Sequence, residues 1–382
     1  MTILVLACAA PDSSYVAPID SSEDDSPDSG SEDGDSADSG SSEFDCSLPP
    51  DPDRGMSILD LLGRLDAQRC LAEDDIIAVE AFMADWTSHS NLFCDAIYRT
   101  SSPDGNSFAS PGELVIEHAS VPDILITPSG EHVVVYNDIT PGKFVELLRT
   151  DPARFWRQGL LGYGGVGMSA GDANGLAEVT DLDLHLSHIQ EAVDPDLGVK
   201  PNGRTHLAWF GLQVEDMLLD GGPLFSTQPH HFWRADSADL REFSPPAVAV
   251  ASREGSTGGA DPTILDLDDG GEILFVSPLD TYALGWRSAD GVTWDPDKSP
   301  DVPTEVPAAT ADAMRDPAGG YRMSYMKNGD FGRFDVARSA DGVSWTEGTQ
   351  LIRVDGGFNP SVARAPDGTW WLYYNHNEGD CL

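Results

Sequence analysis

Lysine is nearly missing: Lys143, Lys200, Lys298 and Lys327 are the only four in 382 residues, and Lys and Arg together number 22 against 65 Asp and Glu. A net charge of −43 argues against partners that need a basic footprint, so nucleic acid and anionic lipid head groups are not expected as ligands. No uninterrupted apolar run reaches the roughly 18 residues that a membrane-crossing helix needs. The five cysteines, Cys8, Cys46, Cys70, Cys94 and Cys381, contain no C-x-x-C pair of the kind that binds zinc. What remains is 40% apolar with 38 Gly and 27 Pro, enough chain to bury one large core or two ordinary ones.

The chain divides by composition. Residues 1–10 are apolar and small, and Val5-Leu6-Ala7-Cys8 resembles a bacterial lipobox, although no Lys or Arg precedes it. That resemblance implies lipidation at Cys8 and an exported bacterial protein, held at the outer membrane or cell surface by this anchor alone. Residues 11–45 are rich in Ser, Asp, Glu and Gly, cannot bury a core, and predict a disordered acidic tether. With those first 45 residues set aside, 53 acids still face 22 bases, so the folded part is acidic in its own right. Residues 46–90 carry Ile58, Leu59, Leu62, Leu65 and then Ile76, Ile77, Val79, Phe82, Met83 at three- and four-residue spacing. That spacing predicts a small helical hairpin.

Residues 91–382 repeat. Ser288-Ala289-Asp290-Gly291-Val292-Thr293-Trp294 and Ser339-Ala340-Asp341-Gly342-Val343-Ser344-Trp345 are nearly identical, and weaker copies begin at Ser102, Ser169 and Ser237. Asp-Gly between strand-like runs is a hairpin turn, because Gly accepts a positive φ and Asp bonds the turn backbone. A second motif alternates with the first: Val121-Pro122-Asp123, Asp194-Pro195-Asp196, Asp261-Pro262-Thr263, Asp312-Ala313 and Asn359-Pro360-Ser361. Proline is tolerated at the first residue of a strand, so each copy reads as a strand entrance. Five entrances predict an all-β fold, a five-bladed β-propeller, one blade of which is closed by strands from both chain ends. On that arrangement Cys94 and Cys381 meet and clip the ring, leaving Cys46 to pair with Cys70; a monomer is expected.

Innermost strands line a propeller's channel, so the motif residues should converge at one mouth: Asp123, Asp194, Asp196, Asp261, Asp312 and Asn359, with His118, Glu191 and Glu254 nearby. Crowded carboxylates repel, which lifts some pKa values toward neutrality, and one protonated plus one ionised carboxyl is what glycosidic cleavage needs. The plainer reading is that these residues cap strand entrances by accepting backbone amides. The acidity also allows a Ca2+ ion in the channel.

The D-P-x-[IV] entrances and S-x-D-G-x-x-W turns resemble the arabinanase and β-xylosidase group of glycoside hydrolases over about residues 94–381. The resemblance implies a carbohydrate partner, a general base on the first blade, an orienting Asp on the second and an acid on the third. Asp194 matches the second. Val121 occupies the first-blade Asp position, leaving Asp123 as the base; Asp261 stands where the group carries Glu, with Glu254 as a substitute. The two expectations are therefore a glycoside hydrolase working through these carboxyls, or a non-catalytic propeller binding a glycan or a protein at the same funnel. Sialidases share the Asp-bearing turns but need an Arg cluster over the channel, and here few Arg lie near the entrances, Arg315 being the nearest.

Overall fold

The computed structural model describes residues 95–140, 165–180, 192–200, 205–211, 231–245, 247–251, 260–277, 282–291, 293–295 and 299–377. The expected anchor, tether and helical hairpin, all five cysteines with their two expected pairings, and Glu191 and Glu254 lie outside these residues. Among the described residues every regular element is a strand, and the strands form five four-stranded antiparallel sheets.

In chain order the first two strands, β1 (Asp95–Ser102) and β2 (Glu113–Glu117), wait for partners from the far end of the sequence. Blade 1 is β3 (Ala119–Ile126), β4 (His132–Asp138), β5 (Val166–Asp172) and β6 (Gly175–Glu178). Blade 2 is β7 (Ala192–Val199), β8 (Thr205–Gly211), β9 (His231–Ser237) and β10 (Ala247–Ala251). Blade 3 is β11 (Ala260–Asp266), β12 (Glu272–Ser277), β13 (Leu284–Ser288) and β14 (Val302–Pro303). Blade 4 is β15 (Ala308–Arg315), β16 (Tyr321–Lys327), β17 (Arg333–Ser339) and β18 (Trp345–Arg353). Finally β19 (Gly357–Arg364) and β20 (Trp370–Asn377) pair with β1 and β2 in the order β19-β20-β1-β2, making blade 5. The chain is a five-bladed β-propeller sealed by its own two ends.

Burial follows position in the blade. The second strands β4, with sequence HVVVYND, and β12, with EILFVS, are buried at every residue, because neighbouring blades cover both of their faces. The outermost β18 is exposed over most of its length. The core is correspondingly a set of seams between blades. Val133, Val135 and Met168 of blade 1 meet Leu197, Leu207 and Trp209 of blade 2. Leu265 and Phe275 of blade 3 meet Tyr321, Met323 and Tyr325 of blade 4, and Phe334 of blade 4 meets Leu372 and Tyr374 of blade 5. Each fully buried side chain of this size stabilises the fold by about 1.5–3 kcal/mol.

The Asp-bearing turns join third strands to fourth. In the blade 4 turn Ser339 Oγ accepts the amide of Gly342 at 2.8 Å, while Asp341 Oδ1 accepts those of Val343 and Ser344 at 2.9 and 2.7 Å. Gly342 takes φ +76° there, as the sequence requires. In blade 2 the corresponding residue is Leu240, held at φ +62° with its side chain buried against Phe243 and Trp209. Packing has overridden the backbone preference at that turn.

Candidate functional site

The X-Pro motif lies one or two residues inside the innermost strands of blades 1, 2, 3 and 5, where it forms a β-bulge. Register shifts fall between Ser120 and Asp123, Val193 and Asp196, Ala260 and Thr263, and Phe358 and Ser361. The first residue of each bulge turns left-handed: Val121 at φ +49°, Asp194 at +52°, Asp261 at +51° and Asn359 at +48°. Asp and Asn tolerate that conformation because their side chains bond locally. Blade 4 has a smaller shift between Ala308 and Thr310 and no left-handed residue there.

The bulge sorts the motif residues into two layers. The deeper layer holds the residue after each proline, or its blade 4 equivalent: Asp123, Asp196, Thr263, Asp312 and Ser361. Each accepts an amide from the next blade. Leu197 N donates to Asp123 Oδ2 at 2.6 Å, Ile264 N to Asp196 Oδ2 at 2.9 Å, and Ala313 N to Thr263 Oγ1 at 3.1 Å. Val362 N donates to Asp312 Oδ2 at 2.9 Å, and Ile124 N to Ser361 Oγ at 3.0 Å. Five bonds thus run around the channel and return to their starting blade. Ser361 Oγ also donates to Asp123 Oδ1 at 2.6 Å.

The upper layer closes over it. Asn137 of blade 1 and Asp194 of blade 2 clasp each other, Asn137 Nδ2 donating to Asp194 Oδ1 at 3.0 Å and Asp194 N donating to Asn137 Oδ1 at 2.8 Å. The Asp194 carboxylate also accepts the backbone amide of Asp261. Asn359 Nδ2 of blade 5 donates to Asp261 Oδ1 of blade 3 at 2.6 Å, a bond that skips blade 4 and crosses the mouth. A partly open cavity of about 30 Å³ is lined by all six motif residues nominated from the sequence: Asp123, Asp194, Asp196, Asp261, Asp312 and Asn359. That volume holds a water or an ion and excludes a sugar ring. His118 lies apart from the lining, in the left-handed bend between β2 and β3 at φ +51°.

Crowding sets the charge states. Burial lifts the Asp123 carboxyl to about 6, and burial with the Asp123 charge lifts Asp312 to about 8. Burial, then the charges of Asp123 and Asp312, push Asp196 well above the carboxylate range. In the upper layer burial raises Asp194, and burial plus the Asp194 charge raises Asp261 much further. One oxygen from each of Asp123, Asp196 and Asp312 lies within 4.8 Å of the other two. This donor set contains oxygen alone, and mutual repulsion would be relieved by a hard cation, so the residues present fit calcium.

Thr263 and Ser361 were not singled out from the sequence. Aligning the motifs on their prolines, then comparing the following residue, would have exposed Asp, Asp, Thr and Ser as one set of acceptors.

Fold and site define a class, a five-bladed propeller with a carboxylate-lined and side-chain-capped channel. No protein-family model matches the sequence, and no curated protein matches it. Solved structures similar to it include an N-acetylgalactosamine deacetylase from F. plautii in complex with blood group B trisaccharide, at 12% identity and TM-score 0.48, over 75% of this chain and 96% of that one. A GH43 β-xylosidase/α-arabinofuranosidase from a compost microbial metagenome, in complex with xylotriose, shows 14% identity and TM-score 0.41 over 67% and 84%. The α-L-arabinofuranosidase of Podospora anserina in complex with cellotriose shows 11% identity and TM-score 0.44 over 77% and 100%. Likeness at this level assigns no residue role to this chain.

Proposed function

We propose that the chain is a carbohydrate-binding propeller without glycosidase activity, which presents a glycan site on the face above the Asp194–Asp261–Asn359 layer. The observation that carries this reading is the bond from Asn359 to Asp261 across the mouth, with Asp123 buried beneath it. A general base must reach water beside the sugar, whereas Asp123 is buried, with its oxygens accepting from Leu197 N and Ser361 Oγ. Val121 supplies no carboxylate in the layer above. The repeat motifs that resemble arabinanase-type propellers support a sugar as the ligand. The remaining parts of the proposal are an exported monomer anchored through Cys8, and a calcium ion held by Asp123, Asp196 and Asp312.

A second reading, hydrolysis by the upper-layer pair, is favoured by one observation: burial and then the Asp194 charge push the Asp261 carboxyl well above the usual range, which favours an acid next to a carboxylate. A panel of plant, fungal and bacterial glycans, assayed for binding and for release of reducing sugar, separates the two. Binding without release is the expected result. Release that disappears in both Asp194→Asn and Asp261→Asn would install the second reading, and no binding to any glycan would remove both.

A further inference from the structure

At the end of the molecule opposite the mouth, where β7 and β11 finish, a polar cluster sits between blades 2 and 3. Its centre is His206 on β8, whose side chain is fully buried. Neither ring nitrogen has a hydrogen-bond partner among the described residues. Nδ1 faces Asp266 of β11, with 4.0 Å to Oδ2. Glu272 of β12, 1% exposed, completes a set in which one donor atom from each residue lies within 4.8 Å of the others.

Two cations border the cluster, and both are engaged by other acids. Lys200 Nζ lies 3.1 Å from Glu272 Oε1 and 3.7 Å from Asp236. Arg234 grips both oxygens of Glu272, with Nη2 at 3.1 Å from Oε1, and reaches Asp236 at 3.0 Å. Among the described residues Asp266 has no Lys or Arg at ion-pair distance. Asp236 and Glu272 thus engage both cations, and Asp266 is left without one at ion-pair distance. The cluster is left with a buried imidazole that has no partner at either nitrogen, with Nδ1 turned toward an Asp side chain that has no cation beside it, and buried polar groups are costly to leave uncompensated.

Two glycines make the space for this arrangement. A Cβ at Gly198 would stand 2.0 Å from His206 Nε2, so the close backbone approach there fixes the ring with Nδ1 toward Asp266. A Cβ at Gly291 would stand 2.6 Å from Glu272 Oε1. Each carboxylate oxygen has two lone pairs, so Glu272 retains acceptor capacity while Arg234 and Lys200 orient it, the supporting role usual around metal ligands. A groove of about 470 Å³ lies on the far side of Arg234 and Gly291, which line it together with Asp236 and Trp294.

We propose that His206, Asp266 and Glu272 form a binding site for a divalent transition-metal ion of the zinc class, stapling blade 2 to blade 3. One imidazole nitrogen and two carboxylate oxygens suit zinc, at about 2.0–2.2 Å per bond, with water as the fourth ligand of a tetrahedral site. The mixed donor set separates this site from the oxygen-only channel. Binding draws the three donor atoms together by about 1 Å from their present spacing.

The test uses the full chain, stripped with chelator and returned to buffer with saturating Ca2+, then titrated with Zn2+ by calorimetry and followed by thermal denaturation. The expected result is one zinc equivalent that raises the midpoint, with affinity falling about 100-fold or more in His206→Ala. Co2+ in place of zinc should give visible d–d bands without a near-ultraviolet thiolate band, which separates this site from the cysteines. Zinc binding equal in wild type and His206→Ala would overturn the proposal, as would no zinc binding at all. Should His206→Ala fail to fold, Asp266→Asn keeps the side chain's shape, removes its charge, and must show the same loss.

Discussion

Val121 is the residue most at odds with its place. A β-branched side chain at φ +49° is a true outlier, where the equivalent positions carry Asp194, Asp261 and Asn359. Val121→Asn should therefore stabilise the protein by about 1 kcal/mol, read as a higher urea midpoint at unchanged slope. A lower midpoint would mean that the Val121 side chain contributes packing that outweighs its strain. The sequence could not display this conflict, because the bulge that turns Val121 left-handed also breaks the period of two along β3. Counting by twos places Asp123 beside Val121 on one strand face; the bulge puts it a layer deeper. In the deeper layer, Asp196→Leu would leave the Ile264 amide without an acceptor and should cost about 1–3 kcal/mol. In chelator, Asp196→Asn should be neutral or stabilising, since it keeps an acceptor and removes repulsion from Asp123 and Asp312.

Turns and strands were legible for the reason that their chemistry is local. Ser339, Asp341 and Gly342 satisfy one another within four residues, so the motif announces the turn wherever it occurs. Asp341→Ala should cost about 1 kcal/mol by removing two amide acceptors, a change that thermal denaturation would detect. Gly105→Ala should be worse. Its φ is +68° and the added methyl would meet the Trp370 ring at 2.6 Å, so about 2–4 kcal/mol is expected from backbone strain and overpacking together. What stayed hidden at this scale is everything that joins one blade to the next. Asp123 bonds a backbone amide 74 residues away, and Ser361 reaches 237 residues back to Ile124. Because the acceptors differ in type from blade to blade, repetition alone does not mark them.

Among the described residues, burial raises one set of carboxyls and turn amides lower another. Asp95 is lifted to about 7 by burial, Asp266 to about 7, Asp312 to about 8 and Asp123 to about 6, all from an ordinary 3.8. Each of these groups holds its proton more tightly folded than unfolded, so its contribution is complete below about 4 and is lost as pH climbs through 6 to 8. Asp341 acts oppositely: backbone amides from Ser344 and Val343 lower it to about 2, so its contribution is lost as pH falls from 3.8 toward 2. Metal-free protein should thus be most stable in mildly acidic solution and weaken between pH 5 and pH 8. Added Ca2+ should offset that loss most at pH 8, where Asp123 is ionised and Asp312 is partly so. Denaturant titrations at both pH values, with chelator and with calcium, measure this; stability rising to pH 8 in chelator would contradict it.

Blade 5 also sets a timetable. Asn377 bonds Asp95 across 282 residues, and Asn375 does so across 280, so the sheet containing the first described strand is completed only by the last one. Contacts so distant in sequence cannot form until the intervening chain has been made, and closing loops of that length is slow. On the ribosome, β1 and β2 must remain without their inner partners while four other blades emerge, with an unpaired edge open to the wrong strand. A stalled chain ending at Gly356 should therefore be cut readily by protease within β1 and β2, and one extended past Asn377 should resist.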